Sequence, residues 1–387
     1  MSRLPARLLT VALAVAKTPL RRAPAAGQPV RRILVAHHLL LGDTLLLAPL
    51  LAKLAERYPD AERVVLARPG VASLFAARPY GCRVLAYDPR KLADLRLLLA
   101  EGPFDLAYVL GDNRYAWLAR AAGARWIVGF AQDRPGWKNW MVDEAHPFPA
   151  APVALADLTA DLLPGAAPLP FSTTDWPLPD ATVPNRPQTP YAVLHVGAST
   201  PLKQWPSQRW LALANQLRAA GITPVWSAGK GEEKLVAAIN PPADQPRYCG
   251  NLSLPELAAL LRGAQLLVCP DTGVAHLGKL TRTPTVALFG PGTAAIYGAG
   301  VYWQSGLYRA LTVADFPCRD QPLLFRREVP WVRRCSRNPQ ACAVASAGLA
   351  TEAGTAPCMY GLSLEAVLAA CQEFVPELAA MAAGENR

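Results

Sequence analysis

Four short polar stretches in this chain each follow an apolar run, and each carries residue types able to act on a hydroxyl or an anion. Gly42-Asp43, ahead of Thr44, comes after Arg32-Ile-Leu-Val-Ala-His. A carboxylate there could take a proton from a hydroxyl as general base. Asp is also a preferred helix N-cap, and the dipeptide alone favours that reading. The second stretch runs from His195 to Pro206 and holds Ser199, Thr200 and Lys203. Hydroxyls and an ammonium after a strand ending in small residues suit a phosphate; an exposed loop lysine is the alternative. In the third, Ala228-Gly-Lys-Gly-Glu232, the acid could meet a ribose or favour a helix N-terminus. It is neither a dinucleotide fingerprint nor a phosphate-binding P-loop. The fourth is Asp271-Thr272-Gly273-Val-Ala-His276. Backbone N–H groups at Thr272 and Gly273 would point out of a helix start toward an anion such as a diphosphate. His276 lies one turn further on the same face, where contact with a ligand and plain core packing both remain open.

The elements that must hold these loops alternate. Strand Arg32–His37 leads through Leu39–Asp43 to a helix that Thr44 can cap and that Pro59 ends after Tyr58. Strands at 63–67, 83–87, 104–110 and 125–130 then alternate with helices at 71–78, 91–100 and 114–122. This is the mark of βαβ units and a mainly parallel sheet. Eight prolines between Pro164 and Pro190 interrupt the series, and 177–190 reads as an extended linker. A second series starts at Tyr191, with strands 191–196, 223–227, 265–269 and 285–289 and helices 207–220, 232–239, 254–262 and 274–280. Ser253-Leu-Pro-Glu256 is a capping box. Residues 300–360 read as irregular and basic, and a last helix covers Ser363 to about Phe374. The expected fold is α/β: an N-terminal domain over 31–176, a C-terminal domain over 191–362 and a terminal helix and tail over 363–387. Two doubly wound domains should face a cleft, since such sheets bind ligands beyond their strands' carboxyl ends.

With 387 residues, 52% hydrophobic and 18% charged, the chain can build two cores and is neither disordered nor a coiled coil. No apolar run reaches the length of a membrane span. The net charge of +10 is uneven. Residues 1–32 hold seven bases and no acid, and 319–337 hold six arginines against Asp320 and Glu328. Charge gathered in this way fits an anionic surface better than a nucleic acid, with a solubilising excess as the alternative. Leu8–Ala16, flanked by Arg3, Arg7 and Lys17, reads as a basic interfacial or disordered segment rather than a cleaved leader. Of eight cysteines, Cys318, Cys335, Cys342 and Cys358 share the irregular region. Their spacing matches no standard zinc motif, and free thiols are expected over disulfides or metal.

Gly42-Asp43, His195–Pro206, Asp271-Thr-Gly-x-x-His276 and Pro284-Thr-Val-Ala-Leu-Phe-Gly-Pro291, in this order and spacing, resemble glycosyltransferase family 9, which includes the ADP-heptose:lipopolysaccharide heptosyltransferases. The likeness covers about 31–300 and the last helix. It implies a GT-B architecture and an inverting, metal-independent transfer, without cofactor, from a nucleotide sugar to a lipopolysaccharide core or related glycolipid. Asp43 resembles the family's base. Ser199 and Lys203 resemble its diphosphate contacts, with Thr200 among the donor-binding residues, Glu232 its nucleoside contact, and Thr272 and Gly273 its anion site, with Asp271 and His276 completing the pocket. His37, Leu40, Val196 and Gly292-Thr293 depart from the usual residues. The implied setting is cytoplasmic, peripheral on the inner face of the membrane. Another nucleotide sugar, or a non-catalytic nucleotide-sugar binder of envelope assembly, is the alternative. A dehydrogenase is disfavoured because no dinucleotide fingerprint follows either first strand.

Overall fold

The structure is a computed structural model that describes residues 4–25, 28–303, 306–313, 316–345, 347–349, 351 and 354–378. It divides into two units. The first is Met1–Pro179 with Leu323–Trp331, the second Asp180–Pro322 with Val332–Arg387.

In the first unit β1 (Arg32–Ala36), β2 (Glu62–Ala67), β3 (Cys82–Ala86), β4 (Phe104–Val109), β5 (Ala124–Phe130) and β6 (Glu144–His146) form one sheet in the order β3-β2-β1-β4-β5-β6. All its pairings are parallel. The second unit repeats the plan with β7 (Tyr191–His195), β8 (Thr223–Ala228), β9 (Arg247–Cys249), β10 (Leu266–Pro270), β11 (Thr285–Phe289) and β12 (Tyr308–Thr312). Its order, β12-β11-β10-β7-β8-β9, is the same winding read from the other edge, again all parallel. The central strands are apolar without alternation because helices cover both faces; Ile33 to Ala36 and Val286 to Phe289 are fully buried. In each sheet the winding reverses between the first and fourth strands, β1/β4 and β7/β10. Sheets of this kind bind ligands at such a point, beyond the carboxyl ends, and the loops at 37–43, 195–203 and 271–273 leave the sheets at those ends.

Several local expectations change. No helix runs from Thr44 to Tyr58; two helices do, Leu41–Leu45 and Ala48–Arg57. Pro49, near the start of the second, has no N–H to continue the first. Thr44 is not a cap: its hydroxyl donates to the Leu40 carbonyl at 2.8 Å. Residues 71–78 hold only a short helix, Pro69–Ala72, and a 3-10 turn.

The basic N-terminal segment is not disordered from Leu4 onward. A helix, Leu4–Lys17, packs on helix Arg114–Ala121 with Ala6 and Ala14 buried, and Lys17 Nζ donates to the Ala121 carbonyl at 2.8 Å. Leu4, Leu8, Val11 and Val15 stay exposed.

Nor is 300–360 wholly irregular. It supplies edge strand β12 and a hairpin of β13 (Leu323–Leu324) and β14 (Arg327–Glu328). That hairpin lies in the stretch belonging to the first unit.

Candidate functional site

In the second unit, the β7/β10 switch point brings two of the four polar loops together. After β7 the chain turns through a 3-10 helix, Pro201–Lys203. Lys203 Nζ then reaches Asp271 at the end of β10, 2.9 Å from its Oδ2 and 2.5 Å from its carbonyl oxygen. Asp271 is buried and Lys203 only partly so. The turn after β11 closes on the same carboxylate: a side chain at Gly292 would meet Asp271 Oδ2 at 2.3 Å. Helix Gly273–Thr281 starts immediately beyond, with Thr272 as its extended N-cap residue. The Thr272 hydroxyl does not cap the helix; it is buried, with no hydrogen-bond partner among the described residues. An ammonium next to a helix start is an arrangement that could hold an anion.

The other residues expected here divide. Ser199 is exposed on the loop. Thr200 accepts the Leu202 N–H at 3.4 Å, so its hydroxyl shapes the 3-10 turn. Glu232 precedes helix Glu233–Ile239 without capping it. Its Oε2 instead accepts the Gly229 N–H at 2.8 Å and lies 2.1 Å from where a side chain on Gly197 would start. The bare backbone at Gly197 and Gly229 thus lets this carboxylate sit across the ends of β7 and β8. His276 is buried, its Nδ1 3.3 Å from Lys279 Nζ and its ring 6.3 Å from that of Tyr297. Burial, then the Lys279 and Lys203 charges, hold it well below the usual histidine range, so it is neutral.

Lys279 escaped the sequence reading. It is buried and donates to the Tyr297 and Gly298 carbonyls at 3.0 and 2.6 Å, fastening the segment after β11 to helix Gly273–Thr281. Its position three residues past His276 was the available signal. Ser227, 3.0 Å from His195 Nδ1, was also missed.

In the first unit, Asp43 lies half-buried in the first turn of helix Leu41–Leu45, beyond the β1/β4 switch point. The loop before it is fixed from below. His37 is fully buried, and its Nδ1 accepts the Leu39 N–H at 3.2 Å. Gly111, after β4, comes so close that a side chain there would meet Leu39 at 2.8 Å.

Burial lowers His37 to about 3 and His195 to about 4 from 6.5, with His38 and Arg68 adding to the His37 effect. Unfolded, both would titrate near 6.5, so below that pH the unfolded chain binds more protons. Their contribution to stability is complete above pH 6.5 and falls away toward pH 4. The calorimetric unfolding midpoint should therefore drop between pH 7 and pH 5, less steeply in His195→Gln. A drop of the same slope in that variant would show that His195 contributes nothing to it.

All eight cysteines are free thiols. Cys318, Cys335, Cys342 and Cys358 are buried. Burial first, and then the neighbouring thiols of this group, push Cys318 upward. Burial likewise takes Cys358 to about 12, against the opposing Arg319 charge. Among the described residues no three His, Cys, Asp or Glu side chains are placed to hold a metal ion. No described helix is long and apolar enough to cross a membrane.

The family model described as glycosyltransferase family 9 (heptosyltransferase) matches residues 93–302. Lipopolysaccharide heptosyltransferase 1 of Pseudomonas aeruginosa is 28% identical over 311 residues, 74% of this chain and 85% of that protein. Among solved structures, the ADP-heptose lipopolysaccharide heptosyltransferase II of E. coli aligns with a TM-score of 0.63 at 17% identity, covering 91% of this chain and 99% of that one. The iron-containing dodecameric glycosyltransferase TibC of enterotoxigenic E. coli gives 0.55 at 14% identity, covering 91% and 80%. Both structural likenesses establish the doubly wound architecture. The iron named there is TibC's.

Proposed function

Given that this chain belongs to glycosyltransferase family 9, and so is a glycosyltransferase, we propose that it moves a heptose-like sugar from an ADP-activated donor to a lipopolysaccharide core or related glycolipid, inverting the anomeric centre without a metal. The observation that carries this reading is the Lys203–Asp271 pair beside the start of helix Gly273–Thr281. A departing nucleoside diphosphate gathers charge in the transition state, and a preorganised cation with helix-start N–H groups can stabilise it there. Thr272 and Gly273 supply those N–H groups, and Ser199 and Thr200 line the approach. Glu232, oriented by Gly229, is the nucleoside contact. Asp271 and His276 act from behind, one holding Lys203 and the other packing the helix.

Asp43 is the base. It takes the acceptor hydroxyl proton as that oxygen bonds to the anomeric carbon. The bond from that carbon to the diphosphate breaks on the opposite side, and its electron pair leaves on ADP. One displacement inverts the centre. The enzyme works in the cytoplasm, peripheral on the inner face of the membrane. Support for that placing is the exposed apolar row of helix Leu4–Lys17 with its flanking bases. Removing residues 1–30 should abolish sedimentation with phosphatidylglycerol vesicles; unchanged sedimentation would refute this part.

The donor assignment is tested by calorimetric binding of ADP, UDP, GDP and dTDP, with and without magnesium. Preference for ADP, equal in EDTA and in magnesium, is expected. Preference for another base would replace the donor, and binding of none would overturn the anion site. Lys203→Ala should weaken ADP about 10–100-fold, the worth of one charged hydrogen bond; unchanged ADP affinity would remove Lys203 from the site.

A further inference from the structure

The loop that carries Asp43 has a neighbour with no part in the reaction as assigned above. It is the tip of hairpin β13–β14, which lies outside the family match at 93–302. Leu324 pairs with Arg327, so the turn consists of two residues, Phe325 and Arg326. Both have positive φ, 47° and 64°. A two-residue hairpin turn requires that conformation and is normally built from Asn, Asp and Gly, which adopt it with little strain. A bulky side chain there is an outlier that its surroundings must hold in place.

The hairpin does not need the Phe325 ring in order to stay docked. Leu324, Arg327 and Val329 are each 1% exposed, and Trp331 Nε1 donates to the Pro149 carbonyl at 2.8 Å. Phe325 itself is half-buried. Its ring reaches the bare α-carbon of Gly111, after β4. A side chain built there would lie 3.5 Å from the ring and 2.8 Å from Leu39, so ring and leucine meet at one glycine. From Leu39 the path to Asp43 is short and stiff. The Leu39 N–H is held by His37. The next carbonyl, that of Leu40, accepts both the Thr44 N–H at 2.9 Å and the Thr44 hydroxyl, closing the turn in which Asp43 stands.

We infer that Phe325 is a positioning residue for Asp43. The hairpin tip keeps a strained turn so that its ring, through Gly111 and Leu39, fixes the loop that presents the carboxylate. A general base acts only within hydrogen-bond reach of the proton it takes, and a misplacement of about 1 Å can lower a rate about 10²-fold. Strain kept at a functional element is a means of such preorganisation.

This inference rests on Asp43 as the base, and its test reads the loop separately from the reaction. Phe325→Asn removes the ring and suits a left-handed position, so the unfolding midpoint should hold or rise. Hydrogen exchange at the Leu39 and Thr44 amides should nevertheless quicken about tenfold. Turnover of ADP-heptose onto deacylated, heptose-free lipopolysaccharide should fall about 10–100-fold, with ADP affinity within about twofold of wild type. Phe325→Tyr, which keeps the ring, should retain slow exchange and most of the turnover. In an Asp43→Asn background, Phe325→Asn should lower turnover no further, because an absent base cannot be misplaced. Unchanged exchange at both amides would overturn the inference. So would full turnover in Phe325→Asn while Asp43→Asn is impaired, or a fallen midpoint with exchange quickened throughout the first unit. Losses that multiply in the double variant would also overturn it and would mean that Phe325 touches substrate itself. Quickened exchange with full turnover in both single variants would instead remove Asp43 as base and leave the ring's hold on the loop standing.

Discussion

Replacing Asp43 with Asn should leave ADP affinity within a few-fold of wild type while turnover falls about 10²–10⁴-fold, the usual worth of a positioned general base. The substitution keeps the shape of the side chain and removes its basicity. The position suits the role. Asp43 is half-buried in the first turn of helix Leu41–Leu45, where a helix N-terminus favours a negative charge. The loop that delivers it is pinned at Leu39 by the neutral His37 ring from one side and by the bare backbone of Gly111 from the other.

A purely structural Asp43, holding the helix start, predicts something else. Asn is also a good residue near a helix N-terminus, so turnover would then change little. The pH–rate profile separates the two. With Asp43 as base, the acidic limb of kcat/KM should vanish in Asp43→Asn and return, shifted and with part of the rate, in Asp43→Glu. Full turnover in Asp43→Asn would remove this residue from the chemistry.

The sequence showed the strands and loops of this site more clearly than what lies behind them. Thr285–Phe289 is a run of five buried residues, four of them apolar, a signal contained in the segment itself, and Ser253 with Glu256 forms the expected capping box. Edge strand β12 was missed for the opposite reason. Tyr308–Thr312 alternates weakly, carries Arg309 and is half-exposed. Its identity as a strand comes from pairing with β11 rather than from its own pattern. The Lys203–Asp271 bridge joins positions 68 apart in sequence. Only the topology, with β7 beside β10, makes them neighbours. Both had been picked out as single loop residues, but the pairing had no local signature. Thr44 misled because a hydroxyl before an apolar helical run is a good cap signal. Here the helix begins three residues earlier, and the hydroxyl bonds back into it.

The least legible residue has the largest expected effect on stability. Arg327 sits in a basic stretch that reads as a patch for an anionic surface or a solubilising excess, yet it is 1% exposed. Its Nε donates to the Ala131 carbonyl at 2.7 Å, Nη1 to the Gly111 carbonyl at 2.6 Å, and Nη2 to Asn113 Oδ1 at 2.9 Å. Asp133, buried and also paired with Lys138 at 3.1 Å, lies 3.8 Å away. These acceptors are at the carboxyl ends of β4 and β5, so one side chain ties hairpin β13–β14 to the sheet across about 200 residues of chain. In place, the hairpin sets Phe325 against Gly111, which in turn abuts Leu39. Arg327→Met keeps much of the volume and removes every donor. It leaves buried carbonyls and a carboxylate short of partners, a loss of about 3–5 kcal/mol when one side of a buried ion pair is removed. For a unit of this size that is a fall in the unfolding midpoint of roughly 6–20 °C. Limited proteolysis between Cys318 and Cys335 should speed up in parallel, as the hairpin opens. ADP binding, assigned to the second unit, should persist below the new midpoint. An unchanged midpoint together with an equally resistant hairpin would mean that Arg327 is a passenger and that other contacts hold the segment.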